Sequence, residues 1–353
     1  MKDPERILIV RLSALGDIVM SSGLITALHA RYPQAQISWL CEGAGVPLLE
    51  HNPRLHGLIV WPRARWQALW DERRWGELWR AVRAFRAQLR AQRFDLVLDG
   101  QGLLKSGLCA WMTGAPRRIG ILSREGSRWL MHERLAPPPG SDPRIGSEYR
   151  YLARHLGASD GDYRLDLALG AAARERALAS LQQAGACGPL VMLCPFTTRP
   201  QKHWVEGYWA PLAAALRAQG LCPVMLGGPG DADAAQRICS AAPDVINLVG
   251  RLRLDETVAA IADARLLIGV DTGLTHMGTA LGVPTVALFG STRPYLQSGT
   301  PTTKVMYDAL PCAPCRRHPT CDGRFDCMRL LTVERVLESA MPLYRRGEGS
   351  SAP

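Results

Sequence analysis

The strongest constraint on this chain is a repeated alternation. Short runs of Leu, Ile and Val are separated by longer stretches with helical periodicity, and the runs are apolar throughout rather than at every second residue. That pattern suits parallel strands covered on both faces by crossover helices. Strands are predicted at Ile7 to Val10, Ile37 to Leu40, Leu58 to Val60 and Leu96 to Asp99. The same grammar returns at Leu190 to Leu193, Pro223 to Leu226, Val245 to Leu248, Leu266 to Val270 and Thr285 to Phe289. A chain of 353 residues exceeds what one ordinary core serves, so two α/β domains of about 150 to 180 residues are expected. The hinge is expected near Leu169-Gly170, ahead of an Ala-rich helix from Ala171 to Ala184. This gives domains at 1–169 and 170–346, with 347–353 as a disordered tail and Ala136 to Gly140 as an extended surface loop.

Lys and Arg exceed Asp and Glu by ten, almost entirely through Arg. Such a balance suits nucleic acid, an anionic membrane face or a phosphorylated substrate, and composition does not choose among them. The first residues carry acids and lead straight into Ile7-Leu8-Ile9-Val10, unlike a secretory signal. No apolar run approaches the roughly 18 residues that cross a bilayer. Ten scattered cysteines without secretory context then point to a reducing, cytoplasmic setting.

One segment breaks the grammar. Between Trp61 and Arg93 nine Arg face three acids, with Trp61, Trp66, Trp70, Trp75 and Trp79 interleaved. Helical spacing places Trp75, Trp79, Val82 and Leu89 near one face, so part of this set is expected in the core. The rest reads either as a solvated basic helix or as a binding surface. Arg63 and Arg65 follow a predicted strand, where doubly wound folds expose ligand loops, and this favours binding.

Three polar clusters sit at predicted strand ends. The first is Arg11-Leu12-Ser13-Ala14-Leu15-Gly16-Asp17, ahead of a helix predicted from Ile18 to Ala30. It lacks the three glycines of a dinucleotide loop. Asp17 reads either as a helix cap or as a general base for a substrate hydroxyl. The second is Thr197-Thr198-Arg199-Pro200-Gln201-Lys202, whose hydroxyls and ammonium can neutralise a diphosphate. The third is Asp271-Thr272-Gly273-Leu274-Thr275-His276, an anion cradle of helix N-terminal amides with hydroxyls attached. Taken alone, His276 also suits a structural histidine. Asp231 and Asp233, after a Gly-rich turn, suit a ribose or a helix cap equally.

Together with Asp95 to Ser106, which contains Gln101 and Lys105, these clusters resemble the motifs of the glycosyltransferase family 9 heptosyltransferases in order and spacing. The likeness covers nearly the whole chain and leans toward enzymes that add the first heptose to Kdo. It implies a GT-B architecture of two Rossmann-like domains, the N-terminal half binding acceptor and the C-terminal half ADP-sugar, facing a central cleft. It implies inverting transfer of heptose from ADP-L-glycero-D-manno-heptose to the lipopolysaccharide inner core, without a metal in the chemistry. Asp17 matches the general base. Thr197, Thr198, Lys202, Asp271, Thr272, Gly273, Leu274, Thr275 and His276 match donor-binding positions. Arg63, Arg65, Gln101 and Lys105 match acceptor-binding positions, where a Kdo2-lipid A type acceptor would account for the basic charge. The implied location is peripheral, at the inner face of the inner membrane, with no nucleic acid partner.

Cys312, Cys315, Cys321 and Cys327 depart from the first-heptose pattern. Their spacing suits a structural zinc or iron site and suits free thiols as well. A relative using another nucleotide sugar or a protein acceptor, a sugar-nucleotide binder without activity, and a nucleic-acid module are the competing functions.

Overall fold

The computed structural model describes residues 3–121, 125–137, 142–292, 295–315 and 318–349. The chain packs as two compact units, Met1–Asp142 with Gly146–Ala168, and Pro143–Ile145 with Leu169–Pro353. The short insert joins the second unit through Ile145, whose N–H donates to the Gln297 carbonyl at 2.8 Å.

The first unit holds strands β1 Arg6–Val10, β2 Gln36–Glu42, β3 Gly57–Trp61, β4 Leu96–Asp99, β5 Arg117–Ile121 and β6 Glu133–Leu135. They form one parallel sheet in the order β3-β2-β1-β4-β5-β6. Its helices are α1 Leu15–Ser21, α2 Gly23–Arg31, α3 Arg63–Asp71, α4 Trp75–Ala91, α5 Leu104–Met112 and α6 Ser147–His155. Leu8 and Val10 pack with Phe85 and Leu89 of α4 and Cys109 of α5. Ile7 and Ile9 project from the opposite face and are equally buried, so helices cover both sides and β1 must be apolar throughout.

The second unit repeats the plan. Strands β7 Leu190–Cys194, β8 Cys222–Met225, β9 Ile246–Asn247, β10 Leu266–Val270, β11 Thr285–Phe289 and β12 Thr303–Tyr307 run parallel in the order β12-β11-β10-β7-β8-β9. Around them lie α7 Ala171–Gln183, α8 Trp209–Ala218, α9 Ala232–Ala241, α10 Leu254–Ala262, α11 Gly273–Ala280, α12 Asp326–Arg329 and α13 Val333–Gly349. Each fully buried Leu, Ile or Val in these two cores contributes about 1.5–3 kcal/mol relative to exposure.

Several expectations need correction. The helix expected from Ile18 to Ala30 is two, because the Ser21 and Ser22 hydroxyls bond back to carbonyls of α1. At the break a Cβ on Gly23 would lie 2.4 Å from the Tyr163 ring, so only glycine fits. Trp75 and Trp79 are 49% and 62% exposed, not core; the buried face of α4 is carried by Phe85 and Leu89. Trp75 packs edge-on against Trp70 of α3, with 4.6 Å between centroids, rather than on the sheet. Helix α13 extends through 347–349, where disorder was expected, and 350–353 lie outside the described residues, as do 138–140 of the Pro-rich loop. Strands β5, β6 and β12 escaped the sequence reading because they are short or carry charges at the sheet margin. Among the described residues no helix is long and apolar enough to cross a membrane.

Candidate active site

In a doubly wound sheet, ligands bind beyond the strand C-termini where the strand order reverses. That point lies between β1 and β4 in the first unit and between β7 and β10 in the second. The loops leaving these four strands are those that carry the polar clusters.

In the first unit β1 is followed by Arg11, which is 8% exposed. Its Nη1 donates to the Gly100 carbonyl after β4 at 2.8 Å, and its Nη2 pairs with Asp17 Oδ2. Asp17 stands in the first turn of α1, and the same oxygen accepts the Ala14 N–H at 3.4 Å. The carboxylate therefore supports its helix N-terminus while its side chain stays 36% exposed, available to a hydroxyl. Gln101 is fixed by its Oε1, which accepts the Leu12 N–H at 2.9 Å. The turn that carries it is shaped by Asp99 Oδ1, an acceptor for the N–H groups of Gln101 and Gly102, with Gly102 at φ 70°. Burial pushes the Asp99 carboxyl up, against those amide bonds, which lower it. Lys105 and Arg63 converge on Glu42 at the end of β2, at 3.1 and 3.4 Å. Arg65 is exposed on α3, outside this cluster of ion pairs.

In the second unit Asp271, at the end of β10, collects the groups. Lys202 Nζ lies 2.6 Å from its Oδ2, His276 Nε2 lies 3.5 Å from its Oδ1, and the Thr292 hydroxyl donates to Oδ2. The Thr197 hydroxyl donates to the Asp271 carbonyl at 3.2 Å. Burial opposes the Asp271 charge, but the bonds and charges of His276 and Lys202 outweigh it and hold the carboxyl well below its usual range. His276 is buried, with Nδ1 3.2 Å from the Tyr295 hydroxyl. Thr272 stands at the N-cap position of α11 without a side-chain cap bond, and Gly273 and Leu274 open the first turn. The Thr275 hydroxyl is fully buried and donates to the Val270 carbonyl, so this residue offers a ligand its backbone rather than its side chain. Gly269 makes room for that hydroxyl: a Cβ there would lie 2.3 Å from Thr275 Oγ1. Thr198 is exposed beside Thr197. His203 Nε2 lies 2.8 Å from the Thr197 carbonyl and pins the loop. Asp231 Oδ2 accepts the Gly228 N–H at 2.8 Å and so closes the 3-10 turn Pro229–Asp231, while its side chain makes no cap bond to α9.

Glu42, Thr292 and Tyr295 were missed by sequence reasoning, and Arg11 was given no role. Only Glu42 offered a signal, an acid at the end of a predicted strand.

The four C-terminal cysteines come near one another. Burial, and then the neighbouring Cys315, Cys312 and Cys321, push Cys327 up to about 11. Among the described residues, however, no three His, Cys, Asp or Glu side chains are arranged to hold a metal ion. Elsewhere burial pushes Cys41 and Cys109 up to about 12, so these thiols are unreactive near neutrality. Maleimide at pH 7 is expected to label exposed Cys187 promptly and leave Cys41 and Cys109 unmodified until unfolding, as read by peptide mass spectrometry.

The family model for glycosyltransferase family 9 (heptosyltransferase) matches residues 82–324. The chain belongs to that family. As a family 9 member it is a glycosyltransferase, and its two parallel six-stranded sheets are those of the GT-B fold. It is 31% identical over 322 residues to lipopolysaccharide heptosyltransferase 1 of Pseudomonas aeruginosa, covering 88% of this chain and 86% of that one. It is 26% identical to lipopolysaccharide heptosyltransferase 2 of Escherichia coli, covering 97% and 99%. The solved family 9 glycosyltransferase of Veillonella parvula superposes with a TM-score of 0.80 at 21% identity, over 97% of each chain.

Proposed function

We propose that this glycosyltransferase moves heptose from ADP-L-glycero-D-manno-heptose to the inner core of lipopolysaccharide, with inversion at the anomeric carbon. The observation that carries the reading is the pairing of two strand-end sites in one chain, one presenting a half-exposed carboxylate and one gathering cationic and hydroxyl groups. Likeness to lipopolysaccharide heptosyltransferases supports the choice of donor and acceptor.

Asp17 accepts the proton of an acceptor hydroxyl as that oxygen bonds to the anomeric carbon, while the ADP oxygen departs with the bonding pair. Lys202, the Thr197 and Thr198 hydroxyls and the amides of Gly273, Leu274 and Thr275 meet the charge of the departing diphosphate. Asp271 holds Lys202 and His276 in place and presents its remaining lone pairs to sugar hydroxyls. This assigns leaving-group stabilisation to side chains and amides rather than to a divalent ion. Arg63, Arg65, Gln101 and Lys105 bind the anionic acceptor, with Glu42 orienting Arg63 and Lys105. The Kdo unit of Kdo2-lipid A is the proposed acceptor, following the higher identity to heptosyltransferase 1; heptosyl-Kdo2-lipid A is the alternative that the fuller coverage of heptosyltransferase 2 favours.

Incubation with labelled ADP-heptose and each acceptor tests the reading. Transfer to one of them is the expected result, whereas preference for a UDP-sugar, or release of label only to water, ends the proposal. A structural zinc or iron at Cys312, Cys315, Cys321 and Cys327 is a separate proposal, supported by the nearness of the thiols though not by ligating geometry. It predicts stoichiometric metal in the purified protein, lost in the Cys312→Ser, Cys315→Ser variant. Metal-free protein whose Cys312 reacts with maleimide as fast as Cys187 decides for free thiols.

A further inference from the structure

The mechanism leaves unused the outer surface of the helical layer formed by α3, α4 and α5. Proteins seldom expose several indoles together without a use for them. Here Trp70, Trp75, Trp79, Trp111 and Trp129 are 58%, 49%, 62%, 42% and 70% exposed, with Leu108 at 38%. They are linked. Trp70 and Trp75 pack edge-on between α3 and α4, and the Arg86 guanidinium of α4 lies 5.0 Å over the Trp111 ring of α5. Helix α5 in turn packs on the 3-10 turn Ser127–Leu130 that bears Trp129, which lies under Arg128 and Arg134 at 4.8 and 5.2 Å. Along α4, Trp75, Trp79, Arg83, Arg86 and Arg90 fall on one stripe beside the buried one of Phe85 and Leu89. Of the three acids between residues 61 and 93, Glu72 and Glu77 both pair with Arg74, so the stripe keeps its positive excess.

We propose that this Trp- and Arg-lined face of the first unit docks on a bilayer surface rich in anionic lipids. Indoles prefer the headgroup level, where the ring is half in hydrocarbon and the N–H is wet, and arginines beside them pair with lipid phosphates. Charge complementarity selects the anionic bilayer. Single-stranded nucleic acid fits less well, because the faces of Trp111 and Trp129 that would stack bases already carry guanidinium groups, and aliphatic Leu108 offers a base nothing. The surface also lies on the helices whose N-terminal turns carry Arg63, Arg65 and Lys105, so a lipid-linked acceptor would leave its membrane next to the residues proposed to bind it. That link rests on the proposed function; the docking itself does not.

Flotation with phosphatidylcholine vesicles, with and without phosphatidylglycerol and free of any core sugar, tests the inference on the full chain. The protein is expected to float with the anionic vesicles and remain behind with neutral ones. Trp75→Ser with Trp79→Ser, and separately Arg83→Gln with Arg90→Gln, should each weaken the anionic partition at least about tenfold. These side chains are exposed, so melting temperature and transfer to a water-soluble deacylated acceptor should stay as in the parent. Wild-type protein that fails to float, variants that partition like the parent, or an oligonucleotide that outcompetes the vesicles would each overturn the proposal. Vesicle binding without any heptose transfer would instead refute the proposed function and leave the docking surface standing.

Discussion

Asp17→Asn should abolish most turnover while sparing the fold and the donor site. Asparagine keeps the size of the side chain and an oxygen able to accept the Ala14 N–H, so helix α1 retains its N-terminal support. The substitution removes the charge facing the Arg11 guanidinium, whose side chain is only 9% exposed, but leaves it the amide oxygen and the Gly100 carbonyl as acceptors, so the stability loss should stay at about 1–3 kcal/mol. The amide, however, cannot take a proton from a hydroxyl near neutrality. General-base catalysis is worth about 10²–10⁴-fold, so kcat should fall by that factor. ADP affinity should not move, because the proposed diphosphate ligands all belong to the second unit. Steady-state transfer rates beside ADP titration give both numbers. Turnover within a few-fold of the parent would remove Asp17 from the chemistry and leave only its capping role.

Lys202→Ala should act on the donor and on stability together. Lys202 Nζ sits 2.6 Å from a carboxylate only 8% exposed, and it is the cation proposed above to meet the diphosphate. Removing a charge-assisted partner of a bound anion costs about 2–5 kcal/mol, so donor KM should rise about a hundredfold, with a further loss in kcat if the ammonium meets charge that develops on leaving. The same substitution leaves Asp271 buried with His276 and Thr292 alone, at a cost of about 1–3 kcal/mol in unfolding free energy. The pH dependence has a definite sign. Asp271 has a depressed pKa, so its paired charge stabilises the fold at pH above the ordinary value of 3.8 and loses that contribution as pH falls toward the lower folded value. The gap in stability between parent and Lys202→Ala should therefore be full near neutrality and close in acid. Denaturant titrations at several pH values measure it; a gap that widens on acidification contradicts the pairing.

How much of this was legible beforehand differs from element to element. Strand β10 was read to the residue, because a strand buried on both faces must be apolar at every position and its ends are marked by the first polar residue. The same logic placed Asp17, Thr197 and Asp271 at strand ends, and the order of motifs then carried the family. Strand β6, three residues with a Glu and an Arg, has no such signature, since its residues answer to neighbours rather than to a period. Helix α4 shows the converse: periodicity grouped Trp75 and Trp79 with Leu89 on one face and put part of that set in the core, yet the contacts that decide burial come from α3 and α5, and of these three only Leu89 went inside.

The sequence by itself therefore determined the two α/β halves, the family and the strand-end positions of the polar clusters, because these depend on local periodicity and on side chains at the ends of short runs. Only the tertiary structure decided the partners. Glu42 joins Arg63 and Lys105 across 21 and 63 residues, Arg11 reaches Gly100, and Asp271 gathers Lys202, His276 and Thr292. Such pairings arise from which strands lie side by side in a sheet, and no spacing along the chain encodes the distance between two loops that the sheet brings together.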